Sequence, residues 1–327
     1  MTRSLSFLLP FLLLACGSST PGGGHSDAGL GGSGGHAPLP DAGDPADGGP
    51  LPDAGDPTDA GPLDDAAPPD AGNPTDAGLT SSKGTGGLVC SQTGDLGGGR
   101  TYCVSKIQGV ELRLADAAPT ESGPVSLAIY VHGDGAAAYK SNGAIKALLP
   151  WADLRHVRVL AVLAPNGCAW WQKPTHDCAS AVEEPDTLGE NNVAFEAVLK
   201  EIRARYDINF DPTFYYGSSG GTIFLAGAFL PRYGNIYPGA FAMNCGGTPQ
   251  KKSDFTWNPD DAAARGSTRL WFTYGDQDFL KDDEHGSALF YSSLGFPVDE
   301  KIIPDAAHCA FDSHGRAKEV WSEFLGE

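Results

Sequence analysis

The sequence predicts an α/β domain with a mostly parallel sheet and helices on both faces, occupying residues 88–327. Three observations predict it. Nearly continuous apolar runs of strand length recur, as in Val125 to Val131 and Val157 to Ala164, which suits strands covered on both faces. Segments with a helical apolar period alternate with them, the pattern of strand–helix–strand units. Finally, Phe214-Tyr215-Tyr216-Gly217-Ser218-Ser219-Gly220-Gly221-Thr222 reads as an apolar strand entering a G-x-S-x-G turn. A helix-compatible run, Ile223 to Leu230, follows at once. That strand–turn–helix setting is what a nucleophile elbow requires.

In chain order, Tyr102 to Ile107 and Val110 to Leu114 predict an opening hairpin, and Val125 to Val131 a buried strand. A helix is expected over Ala136 to Leu149, then a strand over Val157 to Ala164. A long helix spans about Gly189 to Tyr206, with Val193, Phe195, Ala197, Val198, Ile202 and Tyr206 as its apolar face. After the elbow come strands Gly239 to Met243 and Arg269 to Tyr274, a helix Ser287 to Leu294, a last strand Val298 to Ile303 and a closing helix Arg316 to Leu325.

Ser219 stands at the apex of the elbow, and Gly217 and Gly221 flank it where side chains would collide with neighbouring elements. The following helix turns its unpaired N–H groups toward the place where an oxyanion would form. His132-Gly133-Asp134-Gly135 directly follows a strand, and its glycines allow backbone N–H groups to approach a ligand. The expected donors are the N–H of Gly220 and one from Gly133 or Asp134. His132 itself is read as structural. A serine hydroxyl is a poor nucleophile at neutral pH, so a base and an orienting acid are required. Tyr274-Gly275-Asp276-Gln277-Asp278 places Asp278, with Asp276 as the alternative, just after a strand. Pro304-Asp305-Ala306-Ala307-His308-Cys309 places His308 in the loop after the final strand. Among His156, His176, His285, His308 and His314, only His308 combines the order Ser, Asp, His with such a loop.

The stretch from Asn191 to Gly247 resembles the α/β-hydrolase esterases that include polyhydroxybutyrate depolymerases and feruloyl or acetylxylan esterases. Asn192-Val193-Ala194-Phe195, Arg203-Ala204-Arg205-Tyr206-Asp207-Ile208, the elbow itself and Tyr237-Pro238-Gly239-Ala240-Phe241-Ala242 carry the resemblance. Asn166-Gly167-Cys168-Ala169-Trp170-Trp171 looks like that family's aromatic segment beside the substrate cleft, so Trp170 and Trp171 are expected to bind substrate. The resemblance covers about Val125 to Phe324. It implies Ser219 as nucleophile, His308 as base, Asp278 as acid and Gly220 as an oxyanion donor, acting on carboxylic esters without a cofactor. Asp134 departs from the pattern: a carboxylate beside an oxyanion hole opposes the charge formed there, so its side chain is expected to point away.

The N-terminal part is of another kind. Met1 to Cys16 reads as an export signal, with Arg3 before an apolar stretch, Leu5 to Leu14, too short to span a bilayer. Leu13-Leu14-Ala15-Cys16 resembles the lipobox of bacterial lipoproteins, which implies a lipid on Cys16. Gly17, rather than Asp, after the cysteine looks like the sorting rule for the outer membrane. Residues 17–87 form imperfect Pro-Asp-Ala-Gly repeats almost free of aliphatic and aromatic residues, so ordering them has no compensating burial. Eleven Asp between Asp27 and Asp76 supply over half of the formal net charge of −19. The segment is read as a disordered, acidic, self-repelling stalk.

With Cys16 assigned to lipid, six cysteines remain, and an exported chain makes them a disulfide framework. Sequence proximity favours Cys90–Cys103 and Cys168–Cys178, leaving Cys245–Cys309. No spacing argues for a metal site, and no basic cluster for nucleic acid. The expected partners are an ester substrate and, through the lipid, a membrane, with the protein a monomer in the cell envelope. A serine peptidase of the same fold and a non-catalytic scaffold are the alternatives.

Overall fold

The computed structural model describes residues 80–116, 123–248 and 250–327. The expected signal, the expected lipidation site at Cys16 and nearly all of the expected stalk lie outside the described residues. Among the described residues nine strands form one sheet: β1 (Gln92–Gly97), β2 (Arg100–Ile107), β3 (Val110–Ala115), β4 (Val125–Val131), β5 (Val157–Val162), β6 (Ile208–Ser218), β7 (Ala240–Asn244), β8 (Arg269–Gly275) and β9 (Val298–Ile303). Their order is β1-β2-β3-β5-β4-β6-β7-β8-β9. The pairings from β1 through β3 to β5 are antiparallel, and every later one is parallel. The fold is that of an α/β-hydrolase.

The helices are α1 (Ala137–Lys140), α2 (Gly143–Asp153), α3 (Glu190–Arg205), α4 (Gly220–Phe224), α5 (Leu230–Tyr233), α6 (Ala262–Gly266), α7 (Lys281–Ser293) and α8 (Ser313–Phe324). A π-helical turn, Leu225–Phe229, joins α4 to α5. Because strand side chains alternate, each central strand feeds two cores. Leu127, Ile129, Val131, Tyr215, Phe241, Met243 and Phe272 meet α3, α4 and α7 on one face. Ala128, Tyr130, Phe214, Tyr216, Ala242 and Trp271 meet α2 and α8 on the other. All seven residues of β4 are buried, which explains why its sequence lacks polar alternation.

Four elements differ from the sequence expectation. β1 was not foreseen; apart from Leu96 its residues are polar or glycine, and four of the six are exposed, so an edge strand here has almost no apolar signature. The helix expected over Ala136 to Leu149 is split, because Asn142 adopts φ +59° and starts α2 afresh. α7 begins at Lys281, earlier than expected, with Asp282 and Asp283 suiting the positive end of the helix dipole. In α3 the buried face is Asn191, Asn192, Phe195, Val198, Leu199 and Ile202, while Val193 is exposed. Asn191 can be buried because its Nδ2 donates to the carbonyls of Trp170 (2.7 Å) and Gln172 (2.6 Å).

Residues 80–87, read from sequence as the end of the stalk, are bonded to the domain. Ser82 N–H donates to the carbonyl of Ile208 (2.9 Å), and its hydroxyl donates to that of Tyr206 (2.7 Å). A Cβ on Gly84 would meet the backbone of Tyr206 at 2.5 Å. The folded part therefore begins before Leu88. The cysteines pair as Cys90–Cys103, Cys168–Cys178 and Cys245–Cys309. Loop-closure entropy assigns about 3 kcal/mol to each short loop and about 4 kcal/mol to the longest.

Candidate active site

β6 ends at Ser218, and Ser219 takes φ +50° and ψ −120° before α4 begins. A non-glycine residue in that region carries strain of about 1–3 kcal/mol. The neighbourhood holds it there. Ser219 N–H donates to the carbonyl of Asn244 (2.9 Å), and the Ser219 carbonyl accepts from the N–H groups of Thr222 (2.8 Å) and Ile223 (3.1 Å). The flanking glycines are obligatory. A Cβ on Gly217 would lie 2.8 Å from the Thr222 backbone, and one on Gly221 would collide with the Val131 carbonyl.

Ser219 Oγ lies 2.9 Å from Nε2 of His308. His308 Nδ1 donates to both carboxylate oxygens of Asp278, at 2.9 and 3.0 Å. The Asp278 side chain is fully buried, while that of His308 is a quarter exposed. Asp278 Oδ1 also accepts from the Leu280 N–H (2.9 Å), which fixes the carboxylate plane toward the imidazole. The loops carrying Asp278 and His308 are joined directly, since Gln277 N–H donates to the Ala306 carbonyl (3.0 Å) and Asp276 N–H to that of Ile303 (3.1 Å). Gly275 permits that approach; a Cβ there would collide with the Ala306 carbonyl. Asp276, the alternative acid, is exposed and contributes only backbone to this junction. Of the other histidines, His176 lies beside Glu184, His285 beside Glu300, and His314 packs against Tyr130 and Tyr216.

The Cys245–Cys309 bridge lies against this centre. Its sulfurs are 3.8 and 3.9 Å from Ser218 Oγ, and Cys309 Sγ is 3.8 Å from His308 Nε2. It ties the residue after His308 to the end of β7, beside the elbow.

The turn after β4 abuts the serine. A Cβ on Gly133 would lie 2.9 Å from the Ser218 carbonyl and 3.1 Å from Ser219 Cβ. The Gly133-Asp134 turn thus lies against Ser219 and next to Gly220, the placement expected of the backbone donors of an oxyanion site. His132 is buried behind them, with Nδ1 donating to the Gly133 carbonyl (2.8 Å) and Nε2 accepting from Ala164 N–H (3.0 Å). Burial pulls its pKa down to about 4, so it stays neutral and shapes the turn.

The expectation for Asp134 does not hold. Its carboxylate faces the centre, accepting the Trp171 Nε1–H at 3.1 Å through both oxygens. A Cβ on Gly220 would collide with Asp134 Oδ1 and lie 3.1 Å from the Trp171 ring. The reason is the tryptophan, whose N–H is the donor that turns the carboxylate inward. Partial burial raises the pKa of Asp134, and the Trp171 N–H and nearby His308 pull it the other way.

Both tryptophans line a cleft of about 410 Å³, together with Thr187, Ile223, Gly227, Thr248 and Gln250. Trp170 is buried among Phe195, Phe224 and His132, while Trp171 is half-buried and connects the cleft to Asp134 and Gly220 beside Ser219. Sequence reasoning missed Phe279. It is strongly exposed beside the Ser219–His308–Asp278 chain of hydrogen bonds, its ring 4.5 Å from that of His308. Its only signal was its place next to the acid. Among the described residues no cluster could hold a metal ion, and no helix is long and apolar enough to cross a membrane.

No family model and no curated protein matches this sequence. Solved structures match its fold. A carboxylesterase from Mesorhizobium loti is 19% identical, with a TM-score of 0.50 over 69% of this chain and 99% of that one. The fluorophosphonate-binding serine hydrolase F of Staphylococcus aureus is 12% identical, with a TM-score of 0.49 over 70% and 100%. Est1E from Butyrivibrio proteoclasticus is 13% identical, with a TM-score of 0.46 over 68% and 97%. The chain spans 35% and 62% of two longer matched chains.

Proposed function

We propose that this chain is a serine esterase that hydrolyses carboxylic esters through an acyl-enzyme. The observation that carries the reading is the unbroken relay from Ser219 Oγ through His308 to the buried Asp278 on a strained elbow. In this mechanism His308 Nε2 takes the hydroxyl proton as Ser219 Oγ attacks the ester carbonyl. Asp278 holds the Nδ1–H tautomer and stabilises the imidazolium. The N–H of Gly220, with that of Gly133 or Asp134, hydrogen-bonds the tetrahedral oxyanion. His308 then gives its proton to the leaving alkoxide, and a water repeats the sequence to release the acid. No step calls for a cofactor.

Polyesters, feruloylated or acetylated polysaccharides and short acyl esters are the substrates that the resemblance brings into range. A fluorophosphonate probe tests the nucleophile: it should label the full-length chain on Ser219 and fail to label Ser219→Ala. Labelling that persists in the variant would refute the assignment.

We further propose export and anchoring by lipid on Cys16, with the acidic stalk holding the domain away from the outer membrane. The apolar Leu5 to Leu14 run ending in Ala15-Cys16-Gly17 supports this, and three disulfides suit an oxidising compartment. Metabolic labelling with a clickable fatty acid should mark the wild-type chain and leave Cys16→Ser unmarked; equal labelling of both would overturn the anchor.

A further inference from the structure

We infer that Asp134 selects substrates by charge, favouring esters that carry an ammonium group in the Trp171 cleft over neutral esters of the same shape. The inference rests on the serine-esterase reading and adds a substrate class to it. Three features of the geometry carry it. The Asp134 carboxylate is fixed rather than free, since both oxygens share the Trp171 Nε1–H at 3.1 Å. It packs on the α-carbon of Gly220, the residue whose N–H faces the developing oxyanion. Its other side is open to solvent, so a substrate group can reach it.

A fixed negative charge there acts in two opposite ways. It repels the oxyanion, slowing esters that bring no compensating charge. A substrate cation lodged against the carboxylate and the Trp171 indole gains an ion pair and a cation–π contact, and offsets that repulsion. The lining of the cleft points the same way. It includes Asp186 and Asp254 and no Lys or Arg. Asp186 caps α3 through the N–H groups of Glu190 and Asn191 at 3.0 and 2.8 Å, and Asp254 accepts the Lys251 N–H at 2.6 Å. Those two set the sign of the field, while Asp134 alone stands at the reacting carbonyl.

The test uses two p-nitrophenyl esters of equal acyl length, one ending in trimethylammonium and the other in its neutral tert-butyl isostere. The full-length chain is compared with Asp134→Asn, in which the amide oxygen can still accept the Trp171 N–H. The wild type should favour the cationic ester in kcat/KM by about tenfold, the scale of one charge pair near a protein surface. That preference should shrink as salt is added. In Asp134→Asn it should collapse, and the neutral ester should be hydrolysed several-fold faster, a gain that a merely damaged fold would not give. Ser219-dependent turnover without charge preference, or a preference that survives in Asp134→Asn, would overturn this inference and leave the esterase reading intact. Absence of Ser219-dependent turnover of either ester would sink both.

Discussion

Asp278 and Asp134 each follow the C-terminal end of a parallel strand and each face the Ser219–His308 pair, yet their surroundings differ in every respect that governs a carboxylate. Asp278 is buried, accepts one backbone N–H and spends both oxygens on the imidazole. Asp134 is open to solvent, spends both oxygens on an indole N–H, and lies beside the backbone that would receive an oxyanion. On the proposed mechanism, the first negative charge stabilises the cation formed on His308, and the second lies where negative charge would develop. Residue type and placement after a strand are therefore insufficient to assign a role; the donor each carboxylate meets decides it.

Breaking the Asp278 side of this contrast should have the largest effect. Asp278→Asn keeps the shape but loses the acceptor that sets the His308 tautomer, and kcat should fall about 10⁴-fold with little change in KM. Steady-state kinetics on p-nitrophenyl acetate would show it, and Asp276→Asn should remain near wild type. A large loss in the Asp276 variant alone would transfer the acid role to that residue.

The bridge beside the base comes next. Replacing Cys245 and Cys309 together by Ala should lower kcat about 10- to 100-fold through looser placement of His308. The far-ultraviolet circular dichroism should stay that of the folded protein while stability falls by up to about 4 kcal/mol. Unchanged kcat in the folded double variant would make the bridge purely stabilising.

A third carboxyl, Glu284, sharpens the comparison from behind. It is buried, neither oxygen has a hydrogen-bond partner among the described residues, and burial, then the charges of Asp278, Asp283 and Glu300, push its pKa up to about 9. The folded protein thus keeps this proton where the unfolded chain has lost it. The stability it leaves intact below the ordinary Glu pKa is lost as pH rises toward 9. Glu284→Gln should gain on the wild type by about 4 kcal/mol between about pH 5 and pH 8, read by urea unfolding at both. A pH-independent difference would mean that Glu284 is ionised and paired. The smallest effect belongs to Asp134→Asn, whose several-fold gain on neutral esters has the opposite sign to every loss above.

The strand runs, the elbow and the order Ser219, Asp278, His308 were legible because each leaves a local mark: an apolar run, a glycine pair, a polar residue just past a strand. That Asp278 rather than Asp276 would reach His308 was also legible, as a count of residues past the end of β8. What escaped depends on distant partners. Asp134 turns inward because of Trp171, far along the chain, and nothing near His132-Gly133-Asp134-Gly135 announces that donor. β1 escaped because an exposed edge strand built from Gln92-Thr93-Gly94-Asp95-Leu96-Gly97 has no apolar face to read. Val193 fitted the helical period yet faces solvent, while Asn191 took the buried place by satisfying two carbonyls. Burial by hydrogen bonding is invisible to a hydrophobic pattern.

The most direct test is hydrolysis of p-nitrophenyl esters, acetate through octanoate, by the full-length chain beside Ser219→Ala, with folding checked by circular dichroism. Turnover in the wild type and its loss in a folded variant is the expected result, and the chain-length profile then measures the acyl-binding cleft. Equal rates in the two proteins, or none in either, would contradict Ser219 as a catalytic nucleophile and leave the fold as a binding scaffold.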